Sequence, residues 1–351
     1  MAISTAVYGK TQFRFAIAKE STFGTAITAD ASFQELHITE PPTLDTASAV
    51  VTDETPRIDG SAVLSRYDIY KTQAGAITTV TVSGILTKES APLLIYGAMQ
   101  NVTEGAATPY LKTSTWDRTT VPEGDEGSQV FFTLALHDPV SGEAKEVTSA
   151  FLKTLELTWD AASNGGRVAF NATFVSGLQL TTTANYTPGS WKGVSSDFFT
   201  LSDLDTKTVA GSDVVASNFS LSIDNGATFY GVDASGYAEG CAVGATGGKG
   251  FTASGSITVK YDANTKDLFD KALANPTTAA NTADLEIILL WLTTGDDGHL
   301  GFTCNAVLDS ANYNFGSDVG VMRDLPFKCV DDGTATAALV LTVADDTDRT
   351  W

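Results

Sequence analysis

Alternating apolar and polar side chains mark two stretches of the chain, and each stretch leads into residues suited to a short helix. Every second residue from Phe251 to Tyr261 is apolar or small, and the same period recurs from Val80 to Leu86. A period of two predicts a strand with one buried face, because successive side chains point to opposite sides of a sheet. A short amphipathic helix is predicted after each strand, capped by Asn264 in one unit and by Ser90, with Pro92 in the first turn, in the other.

The two strand–helix units match one another in phase. When Ser83-Gly84 is laid on Ser254-Gly255, the apolar strand positions coincide, and a three-residue slip brings the helical stripes together. The separation is about half the chain and predicts a tandem duplication, although two unrelated strand–turn–helix units can also match by chance. We expect two domains, at residues 1–185 and 186–351, with the boundary in the Thr-, Gly- and Pro-bearing stretch 177–196.

Three other stretches carry clear signals. Residues 155–174 alternate on both sides of the turn Ser-Asn-Gly-Gly and predict a hairpin. The window 285–292 is apolar at every position except one, which predicts a strand covered on both faces or placed at a subunit contact. From Pro41 to Ala74 there is little clean periodicity, so we expect a long loop that contacts a neighbouring subunit.

Composition places the chain among globular, mainly β proteins. Its 351 residues suffice for two domains, and 43% of them are hydrophobic. No apolar run is long enough to cross a bilayer, and the first residues lack the apolar core of a signal peptide, so we expect cytoplasmic synthesis and no membrane partner. The net charge of −21 argues against a nucleic-acid-binding surface. Such a surplus suits a soluble, abundant protein, and it also suits a wall along which DNA slides without sticking.

The sequence contains no recognisable catalytic, cofactor-binding or metal-binding pattern, and we predict none. Gly247-Gly248-Lys249 lacks the first glycine and the hydroxyl residue of a phosphate loop. The histidines and cysteines are isolated in the sequence, without a C-x-x-C pair, and buried free thiols are expected. These residues are His37, His137, His299, Cys241, Cys304 and Cys329.

Aspartates and tryptophans offer two further kinds of candidate site. Grouped aspartates could ligate calcium, but no EF-hand loop pattern is present, and turn aspartates are more often solvated. The tryptophans are dispersed, and two lie on predicted core faces, so core packing is favoured over a sugar-binding platform. The aspartates are Asp203, Asp205, Asp296, Asp297, Asp331, Asp332, Asp345, Asp346 and Asp348, and the tryptophans are Trp116, Trp159, Trp191, Trp291 and Trp351.

Three segments resemble a known family. AKESTFGTA (Ala18 to Ala26) resembles the start of tail tube proteins from long-tailed, non-contractile bacteriophages. VASNFSLSIDNGA (Val215 to Ala227), followed by FTASGSITVKYDANTKDLFDKAL from Phe251, is similar to the second half of those proteins. The resemblance extends from about Phe13 to Val343 and departs from the family in the stretch that begins at Pro41.

The resemblance implies tandem β-sandwich or half-barrel domains, each with a short flanking α-helix. It also implies a structural virion protein of a siphovirus-type tail that is not an enzyme and that forms stacked rings through which DNA leaves the capsid. The expected partners are further copies of the chain, other tail proteins (tape measure, tail terminator and distal tail protein) and transient, non-specific double-stranded DNA. Since rings of single-domain relatives are typically six-membered, two units per chain predict a trimeric, pseudo-hexameric ring, with a hexamer as the alternative.

Two other classes of function are weighed against this one. A β-sandwich binding module, carbohydrate-binding or adhesin-like, would require aromatic side chains clustered on one exposed face, and the dispersed tryptophans do not indicate this. A hydrolase would require a pair of carboxylates in a cleft, and no spacing in the sequence identifies one.

Overall fold

The computed structural model describes most of the chain. The described residues are 12–46, 49–52, 69–72, 77–116, 129–139, 142–178, 180–183, 186–194, 196–227, 231–232, 238–239, 250–268, 270, 286–310, 312–316, 320–331 and 337–346. The fold is mainly β and antiparallel, as predicted. Among the described residues, no helix is both long enough and apolar enough to span a membrane.

Strands occur throughout both halves of the chain. The described elements of the first half are β1 (Arg14–Lys19), β2 (Gln34–Glu35), β3 (Thr43–Thr46), β4 (Ala49–Thr52), β5 (Ile69–Thr72), β6 (Thr78–Ile85), α1 (Ala91–Met99), β7 (Thr103–Glu104), β8 (Tyr110–Trp116), β9 (Phe132–His137), β10 (Ala144–Asp160), β11 (Ala169–Ser176) and β12 (Thr181–Thr183). Those of the second half are β13 (Leu204–Val209), β14 (Ser212–Asp213), β15 (Ala216–Asp224), β16 (Gly231–Val232), β17 (Ala238–Glu239), β18 (Thr252–Lys260), β19 (Glu286–Trp291), β20 (Leu300–Leu308), β21 (Asn312–Asn314), β22 (Met322–Cys329) and β23 (Leu339–Asp345).

One central sheet extends through both halves. Its strand order is β3–β6–β11–β10–β15–β18–β22, and the last part of β20 and all of β21 pair with the outer side of β22. Within the central sheet the two halves therefore meet where β10 pairs with β15, and they meet again outside it where β23 pairs with β8. The strands that alternate in sequence lie in this sheet because each has one face toward the core.

Two further sheets flank the central one. The first has the order β2–β1–β9–β10–β12, and the second has the order β14–β13–β19–β20–β23–β8–β7. β10 belongs to two sheets, and the change of partner falls at a register shift between Val147 and Ala150, where Ser149 has a positive φ. β20 also belongs to two sheets. These shared strands connect the layers that enclose the hydrophobic core.

The pairing pattern of the first half recurs in the second. Seven strand pairs of the first half correspond, in the same order, to seven strand pairs of the second half. The first-half pairs are β1–β2, β1–β9, β9–β10, β10–β11, β11–β6, β6–β3 and β10–β12. The second-half pairs are β13–β14, β13–β19, β19–β20, β20–β22, β22–β18, β18–β15 and β20–β23. Each set places the strand that contains the aligned Ser-Gly pair at an equivalent position. The sequence alignment of Ser83-Gly84 with Ser254-Gly255 thus coincides with a repeat of topology.

The two aligned glycines have the same surroundings. Gly84 pairs with Phe170, and Gly255 pairs with Phe327. A Cβ atom at Gly84 would lie 2.8 Å from the Phe170 ring and against the His37 carbonyl oxygen, and one at Gly255 would lie 2.8 Å from the Phe327 ring and against a backbone carbonyl. Each glycine is therefore required by the close approach of an aromatic ring and a neighbouring strand.

Several sequence predictions are confirmed. The strand predicted at Phe251 to Tyr261 is β18, the one predicted at Val80 to Leu86 is β6, and the hairpin predicted at 155–174 is formed by β10 and β11. The predicted core tryptophans Trp159 and Trp291 are buried and contact one another edge to face, with ring centroids 6.4 Å apart.

The prediction of one long loop from Pro41 to Ala74 was wrong in part. The stretch contains β3, which pairs with β6, and the antiparallel pair β4–β5. Residues 47–48, 53–68 and 73–74 of the predicted loop lie outside the described residues. The strands escaped detection because β3 is mostly polar and takes its register from β6, so it has no alternation of its own.

The two predicted helices have different outcomes. The first is α1, with Pro92 in its first turn, but Ser90 does not cap it, and the Ser90 hydroxyl instead accepts a hydrogen bond from the Thr87 backbone N–H. Gly97 allows α1 to approach the ring of Phe132, which a Cβ would meet at 2.7 Å. In the second half Asn264 lies in turns and its side chain donates to the Asp213 carbonyl, whereas the predicted helical residues Leu268 and Asp270 are helical. Most of that predicted helix lies outside the described residues.

The predicted boundary stretch 177–196 packs onto the first half. Its aromatic residues Tyr186 and Trp191 are buried against Phe33 in a second hydrophobic cluster. The Tyr186 hydroxyl donates to Glu146 at 2.5 Å. The stretch between the halves is thus anchored by aromatic packing.

Candidate assembly edges

The pairing of β10 with β15 shows how one half accepts a strand of the other. The two strands are in register from Thr154–Asp224 to Asp160–Asn218, and Ala161 N–H extends the ladder to the Ser217 carbonyl at 2.9 Å. Beyond the ladder, the β10–β11 turn touches the residues before β13, where a Cβ at Gly166 would lie 2.7 Å from that of Leu201. This internal junction buries the outer edge of β15 under a hairpin of the preceding half.

The equivalent edge of the first half is formed by β3 and the residues before it. Ile38 forms a bridge with Gly84, Thr39 N–H donates to the Ser83 carbonyl at 3.0 Å, and β3 continues along β6. Within the described part of the chain, no strand pairs with the outer side of this segment. Such an edge presents unpaired backbone groups that can accept another strand.

A pocket lies beside this edge. It has a volume of about 380 Å³ and is lined by Phe13, Arg14, Glu35, Leu36, His37, Ile38, Thr39, Glu40, Pro41 and Val194. Arg14 Nε donates to Glu35 Oε1 at 2.8 Å, and this bond raises the pKa of the guanidinium. The Nδ1 atom of His37 is buried and has no hydrogen-bond partner. The pocket therefore combines apolar side chains with the Arg14–Glu35 ion pair and the polar side chains of His37, Thr39 and Glu40.

The opposite end of the central sheet has a second unpaired edge. It consists of the last residues of β20 together with β21, which pair with β22 on one side only among the described residues. Tyr313 is 45% exposed and Phe315 is 77% exposed, with stacked rings whose centroids are 5.8 Å apart. We name Tyr313 and Phe315 the aromatic tip.

Arg323 holds the aromatic tip in place. The residue is 1% exposed, and its guanidinium lies 4.6 Å from the ring centroid of Tyr313 and 4.7 Å from that of Tyr261. It donates one hydrogen bond to the Tyr313 hydroxyl at 3.0 Å and another to the Lys266 carbonyl at 3.3 Å. A desolvated cation between two aromatic rings stabilises their orientation. The ring of Tyr313 is thus supported by a buried cation, and Phe315 in turn stacks on Tyr313.

The histidines do not converge on a common site. His299 is buried, with Nε2 at 2.8 Å from Thr342 Oγ1 and Nδ1 at 3.1 Å from the Leu292 carbonyl, and burial lowers its pKa. His137 lies at the end of β9, and His37 lines the pocket. His299 thus links strands of the second flanking sheet.

Two of the three cysteines are buried free thiols, as predicted. Cys304 and Cys329 lie in contact, and burial raises the pKa of the Cys304 thiol. Cys241 lies outside the described residues.

The candidate calcium ligands that the structure describes serve turns and strand ends. Asp203 accepts hydrogen bonds from the Thr200 N–H and hydroxyl, and Asp296 accepts them from Thr293, which lowers the pKa of Asp296. In the described part of the chain, no group of three His, Cys, Asp or Glu side chains is arranged to hold a metal ion. Asp332 and Asp348 lie outside the described residues.

Neither free edge was recognised from the sequence at the level of residues. The aromatic tip has a weak sequence signal, since Asn312–Phe315 alternates polar and aromatic residues. Its exposure could not be inferred, because that depends on where β21 ends relative to the core.

The fold defines an antiparallel β protein whose central sheet, as far as the chain is described, ends in two edges without a paired strand. The family model described as phage tail tube protein matches residues 12–329. The chain belongs to this family and is a structural component of the phage tail, in a family that is not enzymatic. A search of curated proteins finds no match.

Proposed function

We propose that the chain assembles with copies of itself into rings that stack to form the tail tube of a siphovirus-type phage, with DNA passing through the lumen. The observation that carries the proposal is the β10–β15 junction, in which one half adds its hairpin to the open edge of the other. The second half presents an equivalent hairpin, and the first half presents an equivalent edge. Repetition of this junction between chains would use both edges.

Equivalent residues give the register of the proposed contact. Leu308 corresponds to Leu157, because Leu308 pairs with Phe327 and Leu157 pairs with Phe170, the two phenylalanines that lie against the aligned glycines. Ile38 corresponds to Leu221, because Ile38 pairs with Gly84 and Leu221 pairs with Gly255. Leu157 pairs with Leu221 inside the chain, so Leu308 of one chain is expected opposite Ile38 of the next.

The number of chains in the ring follows from the repeat. We treat residues 1–185 and 186–351 as two ring-forming domains. Six such domains, the number typical of the resemblance, would then come from three chains. Closed symmetry leaves no edge open, because each chain presents one hairpin and one accepting edge. A hexamer with the second half on the outside is the alternative.

Disulfide cross-linking tests both the register and the stoichiometry. Val307 is expected opposite Thr39 of the next chain, one position from Leu308 and Ile38. In assembled tubes of a Thr39→Cys/Val307→Cys variant, mild oxidation should give covalent dimers and trimers and no larger species on a non-reducing gel. A ladder that continues beyond three chains would contradict the trimer.

Controls separate this result from native thiol chemistry. A Cys241→Ser chain and each single variant in that background, oxidised in parallel, should remain monomeric on the gel, because the two other native thiols, Cys304 and Cys329, are buried. A reconstruction of the tube gives an independent count of chains in each ring. Wild-type protein that forms neither rings nor tubes would overturn the proposed function itself.

Other parts of the proposed role follow from charge and family. The acidic surplus of 42 acidic against 21 basic residues suits a lumen that repels phosphates and does not hold DNA. We further propose synthesis in the host cytoplasm and contacts with the tape measure, tail terminator and distal tail proteins. The contact of the segment Pro41 to Ala74 with a neighbouring subunit or ring stays a prediction.

A further inference from the structure

The aromatic tip has no counterpart in the first half. Phe170 corresponds to Phe327, so Gly166 in the turn of the first-half hairpin corresponds to Arg323. The first-half hairpin therefore turns at this position, whereas the second-half hairpin continues past it, with β21 paired to β22. The extension ends in Phe315, the most exposed of the large hydrophobic residues in the described part of the chain. An exposed aromatic pair held rigidly at the end of a hairpin is typical of a contact surface.

The internal junction indicates where this extension lies in an assembled ring. At that junction the β10–β11 turn passes the edge of β15 and reaches Leu201, just before β13. The corresponding features of the next chain are the edge at Leu36 to Ile38 and the residues before β1, which include Phe13. These residues are the walls of the pocket.

The antiparallel direction of pairing along this edge also indicates that the second-half hairpin runs toward the pocket. If Leu308 lies opposite Ile38, later residues of the hairpin run toward Leu36 and Glu35, because the pairing is antiparallel. Val194 lines the same end of the pocket, next to Gly193, whose carbonyl lies 3.2 Å from Gln34 Nε2. The longer hairpin of the second half therefore runs along the pocket.

We propose that the aromatic tip of one chain docks into the pocket lined by Phe13, Leu36, His37 and Val194 of the next chain in the ring. This inference rests on the proposed self-assembly and adds a side-chain contact to it. The pocket is of a size that accommodates aromatic groups. Since the tip has no equivalent at the internal junction, it distinguishes the contact between chains from the contact within a chain.

Substitution of the tip provides the first test. Phe315→Ser should raise by about tenfold or more the protein concentration required for ring formation, measured by mass photometry, because buried aromatic anchors dominate such contacts. Its thermal unfolding as a monomer should match that of the wild type, since the side chain is exposed there. The control Leu201→Ser removes an exposed leucine at the internal junction and should leave that concentration within about twofold. Unchanged ring formation by Phe315→Ser would overturn the docking.

A second cross-link locates the tip and distinguishes the two hypotheses. Oxidation of assembled Phe315→Cys/Val194→Cys protein should join neighbouring chains, as the Thr39→Cys/Val307→Cys pair should. If only the Thr39–Val307 pair forms cross-links, the proposed ring stands and the docking of the tip is wrong. If the tip cross-links chains of different rings and not chains of one ring, the pocket of the next chain in the ring is not its partner, and the proposed docking is wrong. If neither pair forms cross-links in assembled protein, the proposed junction itself fails.

Discussion

Gly255→Ala is expected to lower the free energy of unfolding by about 1–3 kcal/mol, and Gly84→Ala should have a similar effect. An added methyl group at either position meets an aromatic ring at 2.8 Å and a backbone carbonyl oxygen of the adjacent strand. The carbonyl cannot withdraw without breaking the ladder of the central sheet. The rings of Phe170 and Phe327 are themselves fully packed in the core, so relaxation in that direction is also costly.

Chemical denaturation of the monomer measures this effect. Gly193→Ala serves as the matched control, because no atom lies within 4 Å of the added methyl group and the backbone there is accessible to other residues. Its unfolding free energy should stay within about 0.5 kcal/mol of the wild type. Equal effects at Gly255 and Gly193 would contradict the close approach seen in the central sheet.

Glu20→Ala is expected to destabilise the first half by about 2–3 kcal/mol, because it leaves buried donors without an acceptor. The Glu20 carboxylate accepts hydrogen bonds from Thr133 Oγ1 at 2.6 Å, the Ser149 N–H at 2.8 Å and Ser149 Oγ at 2.7 Å. Ser149 is the left-handed residue at which β10 changes sheets. Loss of the carboxylate thus removes the side-chain acceptor that fixes this point of the strand.

The same group gives a pH dependence with a defined sign. Burial, with a smaller contribution from nearby Glu146, raises the pKa of Glu20 above its ordinary value of 4.5. A carboxyl whose pKa is raised by folding binds its proton more tightly in the native state, so stability from this group is lost as pH rises through the folded pKa. As pH falls from about 7 toward 4.5, the wild type should therefore gain stability relative to Glu20→Gln.

Thermal melts of the two proteins across this pH range test the sign. The other carboxylates are common to both chains, so their contributions cancel in the difference. Glutamine keeps an oxygen acceptor for the Ser149 N–H, which limits the loss at neutral pH. A difference in stability that is constant with pH would contradict a raised pKa for Glu20.

Periodicity was sufficient to predict strands that have one buried face. β6, β18 and the β10–β11 hairpin all belong to the central sheet, where alternation reflects a core on one side. β3 was missed because Thr43 and Asp45 are exposed and Leu44 is the only strongly apolar residue of the strand. Its register comes from β6, a partner that local sequence does not reveal.

The candidate edges were less accessible to sequence analysis. The aligned glycines pointed to equivalent strands, but which strands lack a partner depends on the complete order of the sheet. Gly97 illustrates the same limit on a smaller scale. From the sequence it only weakens a helix, whereas in the fold it admits the ring of Phe132 against α1. Such requirements arise from contacts between residues far apart in the chain.

For the proposed ring, the pairing of β10 with β15 inside one chain changes how assembly depends on protein concentration. In a ring of three chains, three of the six lateral junctions are already formed before any two molecules meet, since their partners are tethered at high effective concentration. By mass action, ring formation then varies with the third power of the free-chain concentration, in place of the sixth for separate domains. Covalent fusion of the two halves would therefore lower the concentration at which tubes nucleate in an infected cell.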